Sequence, residues 1–285
     1  MKVLCFGEIL WDVFANEKKI GGAPLNFAAH LVKNGVDAAI YSAVGQDELG
    51  QEAMQIVKNL GIDTSRVATV PRETGVCLVT LKDGTPDYNI KLGTAMDHIP
   101  YFQPWQPVDG LYFGTLAQRS NGSAQTLAAL LEWGGFRQVF VDINIRQQYY
   151  TPEILDRSIR SATILKLSRE EMGVLKETGI ADARDCESLA KELKAKYPKL
   201  EIIIITLDCD GAYVYDCKTK RHHYAPKPNC KVVSTVGGGD SFSATFFASV
   251  LKGESVESAL TKASRVSQFV VTQMGAIPDY PDGLL

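Results

Sequence analysis

The chain has 285 residues, 45% of them hydrophobic and 22% charged, with a formal net charge of −3. That length suits one domain, or one domain with a small appendage, and the composition is that of a globular protein. The charge balance argues against nucleic acid as a partner, although a local basic pocket can sit inside a mildly acidic chain.

The N-terminus runs straight into a strand, Val3 to Phe6, without the pattern of a signal peptide. Asn26 to Val32 places Phe27 with Leu31 and Ala28 with Val32, which predicts a helix that Asn34-Gly35 stops. Ala38 to Val44 reads as a second strand, and Glu48 to Leu60 as a helix closed by Gly61. Gly75 to Leu81 and Asp87 to Ile90 read as two strands around Asp83-Gly84, a hairpin-turn signal. A hairpin inserted in a βαβ series is not expected to join the main sheet. Residues 70–95 therefore read as a small β lid over a site, as a homodimerisation arm, or as both. Pro100 to Pro107 reads as an irregular connection, and Val139 to Ile143 as a strand. Ile202 to Thr206 opens with four isoleucines and should be buried on both faces, as a central parallel strand is. The expected fold is α/β, a single domain over 1–285 with a mostly parallel sheet, helices on both faces and a small β lid.

No stretch approaches the roughly 20 apolar residues of a membrane span. The six cysteines, Cys5, Cys77, Cys186, Cys209, Cys217 and Cys230, are scattered and include no C-x-x-C pair, so they read as reduced thiols. His222-His223 has no further ligand at zinc spacing and reads as a solvated turn. Together these features point to the cytoplasm and to no membrane partner.

The segment that carries chemistry is Ser234-Thr235-Val236-Gly237-Gly238-Gly239-Asp240-Ser241-Phe242. Three glycines precede a helical stripe of Phe242, Phe246 and Val250, and Lys252-Gly253 closes it. A glycine loop opening a helix presents unpaired N–H groups at the positive end of the helix dipole, an anion site suited to phosphate. Asp240 beside it is either a first-turn cap or a base for an attacking hydroxyl. A bound phosphate would repel a carboxylate there, which disfavours a purely structural role. The helix N-terminus should keep Asp240 ionised and weakly basic, which suffices for phosphoryl transfer. Neither G-x-x-x-x-G-K-[ST] nor G-x-G-x-x-G after the first strand occurs, which counts against P-loop and dinucleotide enzymes.

Val236 to Phe242 resembles the C-terminal signature of the ribokinase-like (PfkB) carbohydrate kinases, D-T-x-G-A-G-D-x-F. Gly21-Gly22-Ala23-Pro24-Leu25-Asn26-Phe27-Ala28 resembles the family's sugar loop, in a form similar to the fructokinase branch. Val44 to Gly50 resembles the block that follows it, and Asp142-Ile143-Asn144-Ile145-Arg146 resembles a D-x-N-x-R of fructokinases and ketodeoxygluconate kinases. The resemblance implies an ATP- and Mg²⁺-dependent sugar kinase with fructose as the favoured acceptor. Asp240 would be the base and the amides of Gly237, Gly238, Gly239 and Asp240 the anion hole. Asp12, Gly22, Asn26 and Arg146 would hold the sugar. Asn144, Ser168, Glu171, Thr206, Gly211 and Ser264 would serve ATP, with Ser267 beside them. Glu171 would also reach magnesium through water. Ser168 and Glu171 equally form a capping box, and Asp12 and Asn26 could be turn and cap residues.

Ser234 stands where the family usually has Asp, which counts against potassium activation. Only eight residues separate Asp12 from Gly21, so the lid should be built mainly from Thr74 to Ile90. Ketodeoxygluconate, ribose, a nucleoside or a phosphosugar are rival acceptors, and a non-catalytic sugar- or nucleotide-binding relative is a rival of another class. Lys91, Arg119 and Arg72 are further cations without an assigned place.

Overall fold

Strand β1 (Lys2–Phe6) pairs with β4 (Asp37–Gly45) on one side and β8 (Val108–Phe113) on the other. In the computed structural model, which describes residues 1–82, 85–102, 107–226 and 230–285, these belong to a nine-stranded sheet. β5 (Asp63–Val70) lies beyond β4, and β9 (Phe136–Asp142), β10 (Ile164–Ser168) and β11 (Ile202–Thr206) follow β8 in turn. All of these pairings are parallel. β12 (Ala212–Asp216) and β13 (Arg221–Ala225) add an antiparallel edge.

Both faces of the sheet are covered. Ile202 and Ile204 join the core under α1 (Ala23–Lys33), α2 (Glu48–Asn59), α7 (Gly238–Leu251) and α8 (Val256–Val271). Ile203 and Ile205 join the core under α3 (Asn121–Trp133), α4 (Pro152–Ser161), α5 (Arg169–Glu177) and α6 (Cys186–Lys196). Alternate side chains of a strand point to opposite faces, so a strand covered twice must be apolar throughout. His222 and His223 lie in β13 rather than in a turn, and His222 Nδ1 bonds the Tyr213 hydroxyl at 2.6 Å.

The lid is larger than a hairpin. β6 (Gly75–Lys82) and β7 (Thr85–Ile90) form the expected pair, with Asp83-Gly84 outside the described residues. Two further strands, β2 (Leu10–Val13) and β3 (Lys18–Gly21), complete a sheet of order β3-β2-β6-β7. β2 pairs parallel to β6 and covers an edge that would otherwise be open. This sheet is fastened at its base. Asp47, the N-cap of α2, accepts from Thr74 N at 2.8 Å and from Thr74 Oγ1 at 2.5 Å. Trp11 Nε1 donates to Leu49 O at 3.0 Å. Arg119 grips buried Asp97 and donates to Lys91 O at 2.6 Å, so this cation is an anchor. Lys91 pairs with Glu73 at the exposed rim. No helix among the described residues is long and apolar enough to cross a membrane.

Residues 276–280 close over α1. His30 is fully buried, with Nε2 2.9 Å from Ala276 O and Nδ1 2.6 Å from the Tyr280 hydroxyl. The carbonyl requires a proton on Nε2, so Nδ1 accepts from Tyr280 and the ring is neutral. Burial lowers the His30 pKa to about 4. The unfolded chain takes up that proton first, near pH 6.5, so the stability His30 supplies is complete above that pH and is lost toward pH 4. In paired denaturant titrations of wild type and His30→Ala, the stability gap should be widest at pH 7 and should narrow by about 3 kcal/mol on the way to pH 4.

Candidate active site

α7 starts at Gly238 with Gly237 as its N-cap in the left-handed conformation, φ 80°. A Cβ on Gly237 would stand 2.5 Å from Ala276 O, and one on Gly238 would stand 2.7 Å from Val271 Cγ1. The loop is therefore clamped between the 276–280 segment and α8. Gly238 N points back to Thr235 O at 3.3 Å, and Ser267 Oγ donates to Gly238 O at 2.9 Å. The N–H groups of Gly239 and Asp240 have no protein acceptor among the described residues. Gly237 N is likewise without a protein acceptor among the described residues, so three N–H groups of the expected run from Gly237 stand open.

Asp240 is half-buried in the first turn of α7, between exposed Gly239 and buried Ser241. Its Oδ2 accepts from Asn26 Nδ2 at 2.8 Å. Asn26 is buried, and its Oδ1 has no hydrogen-bond partner. Desolvation raises the Asp240 pKa to about 6; Asn26 opposes, nearby Asp142 reinforces, and Lys166 and Arg146 oppose. The expected helix-terminus effect on Asp240 is therefore outweighed by burial.

The opposite wall comes from the N-terminal quarter. Gly22 takes φ +116°, and a Cβ there would lie 2.4 Å from Glu8 O, so only glycine fits. The Glu8 carboxylate is buried, accepts from Ala23 N at 3.2 Å, and is pushed up by desolvation. Asp12, on β2 opposite Cys77, is also pushed up by burial. Arg146 makes no ion pair among the described residues, yet its charge is felt at Glu8, Asp12, Cys77 and Asp240. Arg146 itself is exposed, in the loop after β9.

Beneath the loop lies an ion pair that the motifs did not reveal, although Asp142 opens one of them. Lys166 Nζ bonds both oxygens of Asp142, at 3.0 and 2.8 Å, and both residues are buried. Burial pulls the Lys166 ammonium down, but Asp142, Glu171 and Asp240 together raise it above the ordinary lysine value. Glu171 accepts from Ile145 N at 2.6 Å and from Ser168 N at 2.7 Å, completing the capping box. Asn144 turns the chain after β9 with φ 43°, a conformation that asparagine tolerates.

Ser168 and Thr206 face each other at the ends of β10 and β11. Ser264 Oγ on α8 is buried without a partner, one turn from Ser267. Gly211 has a structural reason to be glycine, since a Cβ there would lie 2.1 Å from Ala225 O across the β12–β13 hairpin. Glu8, Asp142 and Lys166 belong to the site although they were not among its expected members.

With this geometry in place, the comparisons with known proteins agree with one another. The description "pfkB family carbohydrate kinase" fits residues 2–283, and the chain belongs to that family. It is a sugar kinase. A fructokinase of Rhizobium leguminosarum bv. trifolii is 27% identical over 268 residues, covering 87% of this chain and 79% of that protein. A 5-dehydro-2-deoxygluconokinase of Geobacillus thermodenitrificans is 23% identical over 301 residues, covering 94% and 87%. The crystal structure of the Xylella fastidiosa fructokinase with bound ATP superposes with a TM-score of 0.86 at 20% identity, covering 97% of this chain and 94% of that one.

The clamp on the loop gives a direct test. Gly237→Ala forces a side chain into a left-handed position and against a carbonyl. It should cost about 2 kcal/mol or more, seen as a lower denaturant midpoint with an unchanged slope.

Proposed function

We propose that the chain transfers the γ-phosphoryl of ATP to a hydroxyl of a free, neutral sugar, with fructose the favoured acceptor and Asp240 the base. The observation that carries this reading is the hydrogen bond from Asn26 to Asp240, with Asn26 Oδ1 buried and unpartnered beside it. A buried carbonyl oxygen without a donor is costly, and a sugar hydroxyl supplies that donor. A neighbouring hydroxyl of the same sugar then lies next to the carboxylate that takes its proton.

The reaction follows from the groups present. The sugar hydroxyl gives its proton to Asp240, its oxygen forms a bond to the γ-phosphorus, and the bond to the ADP oxygen breaks. The open N–H groups of Gly239 and Asp240 meet the charge on the transferring phosphoryl oxygens. A pKa near 6 makes Asp240 a stronger base than a solvent-exposed carboxylate while leaving most of it ionised at pH 7. Magnesium fits as a partner of the phosphates. Each Glu171 oxygen accepts one N–H and keeps capacity for a water, and no group of three acidic, His or Cys side chains among the described residues forms a metal cage. When bound, the ion neutralises phosphate charge. Ser234 brings no carboxylate to this region, which supports activity without potassium.

The acceptor's charge follows from the recess. Glu8, Asp12 and Asp240 share the field of one guanidinium, Arg146. An acidic sugar or a phosphosugar would compete with three carboxylates for that cation, and a neutral sugar would not. The fructokinase relatives and the Gly21 to Asn26 loop support fructose within that class.

A coupled ADP-release assay across fructose, ribose, 2-keto-3-deoxygluconate, adenosine and fructose phosphates tests the reading. Fructose should give the highest kcat/KM, and its acid limb should fall near pH 6. Asp240→Asn should lose about 10³-fold or more in kcat while still binding ATP. Full turnover by that variant, or a phosphosugar as the best substrate, would refute the assignment.

A further inference from the structure

The glycine loop carries no cationic side chain of its own, although it is to receive a highly charged phosphoryl group. The nearest cation lies beneath it. Lys166 Nζ comes within 3.7 Å of the position that a Cβ on Gly239 would occupy. It reaches that point because Asp142 holds it with both carboxylate oxygens, at the C-terminal ends of the adjacent strands β10 and β9. A buried ion pair is a poor device for stability alone, because desolvation offsets most of its attraction. Here one member of the pair stands under an exposed glycine whose N–H has no acceptor.

We propose that Lys166, oriented by Asp142, is a positioning residue for phosphoryl transfer: its ammonium supplies from below the fixed positive charge of the anion hole. This rests on the sugar-kinase reading above. The groups facing Asp240 are Glu8 after β1, Asn26 on α1, Tyr112 on β8, Asp142 at the end of β9, Arg146 in the next loop and Lys166 on β10. Of these, only Lys166 and Arg146 are cations, and Lys166 alone is buried beneath the loop. Glycine at 239 is part of the same device, because any larger residue would separate the ammonium from the anion.

The double variant Asp142→Asn/Lys166→Met removes both charges together and strands neither, so the fold should be kept. Its kcat should fall about 10²-fold, while KM for the sugar stays within roughly twofold. Lys166→Met alone should move the acid limb of kcat/KM upward by about one pH unit, and Asp142→Asn alone should move it downward. A purely structural pair would leave that limb in place. A folded double variant with wild-type turnover overturns the proposal, as does an unmoved limb in both single variants. Wild type assayed first separates the two readings, since a wild type inactive on every sugar refutes the kinase reading by itself. In that case inorganic phosphate is the probe. Phosphate should raise the Tm of wild type but not that of the double variant, and an equal rise in both overturns the role of Lys166.

Discussion

A single hydrogen bond, from the Asn26 amide to the Asp240 carboxylate, joins residues 214 positions apart. Everything else in the site depends on the two helices that bring these groups together. α1 and α7 pack side by side over the same face of the sheet. Each begins at a glycine that no other residue could replace without a clash, Gly22 against Glu8 O and Gly237 against Ala276 O. Two helix N-termini thus meet over the C-terminal ends of parallel strands, the place where open α/β sheets bind ligands. In the proposed reaction one would hold the sugar and the other the phosphoryl group.

The cost of this arrangement is concentrated charge. Glu8, Asp142, Glu171 and Asp240 lie in one recess with Lys166 and Arg146. Their environments differ, and so do their roles. Asp142 is tied to a cation, Glu171 to two backbone N–H groups, and Asp240 to one neutral amide. Asp240 is therefore the carboxylate of the group least tied to cations or backbone donors, which suits the proton exchange proposed for it.

The sequence made one half of this site legible and obscured the other. Gly237 to Asp240 and Gly21 to Asn26 stood out because two glycine loops, each opening a helix, occur in one chain, although either alone also reads as a cap. The isoleucine strand was readable because burial on both faces leaves no polar positions. The pairing of Lys166 with Asp142 was hidden, although Asp142 opens a motif, since a lysine and an aspartate 24 positions apart meet only through the parallel pairing of β9 and β10. Strands β2 and β3 were missed because four residues each carry too little alternation to register. The expectation that Asp240 would be strongly ionised weighed the helix dipole without the burial that only the folded recess reveals.

The tie between His30 and residues 276–280 bears on how the protein comes into being. Ala276 is the surface against which the glycine loop is shaped, and it lies late in the chain. As the polypeptide leaves the ribosome, β1, β4 and β8 can pair long before that support has been synthesised. The nascent chain therefore carries the Gly22 loop long before the surface that shapes the Gly237 loop. The glycine loop can take its final shape only once the last turn has docked on α1.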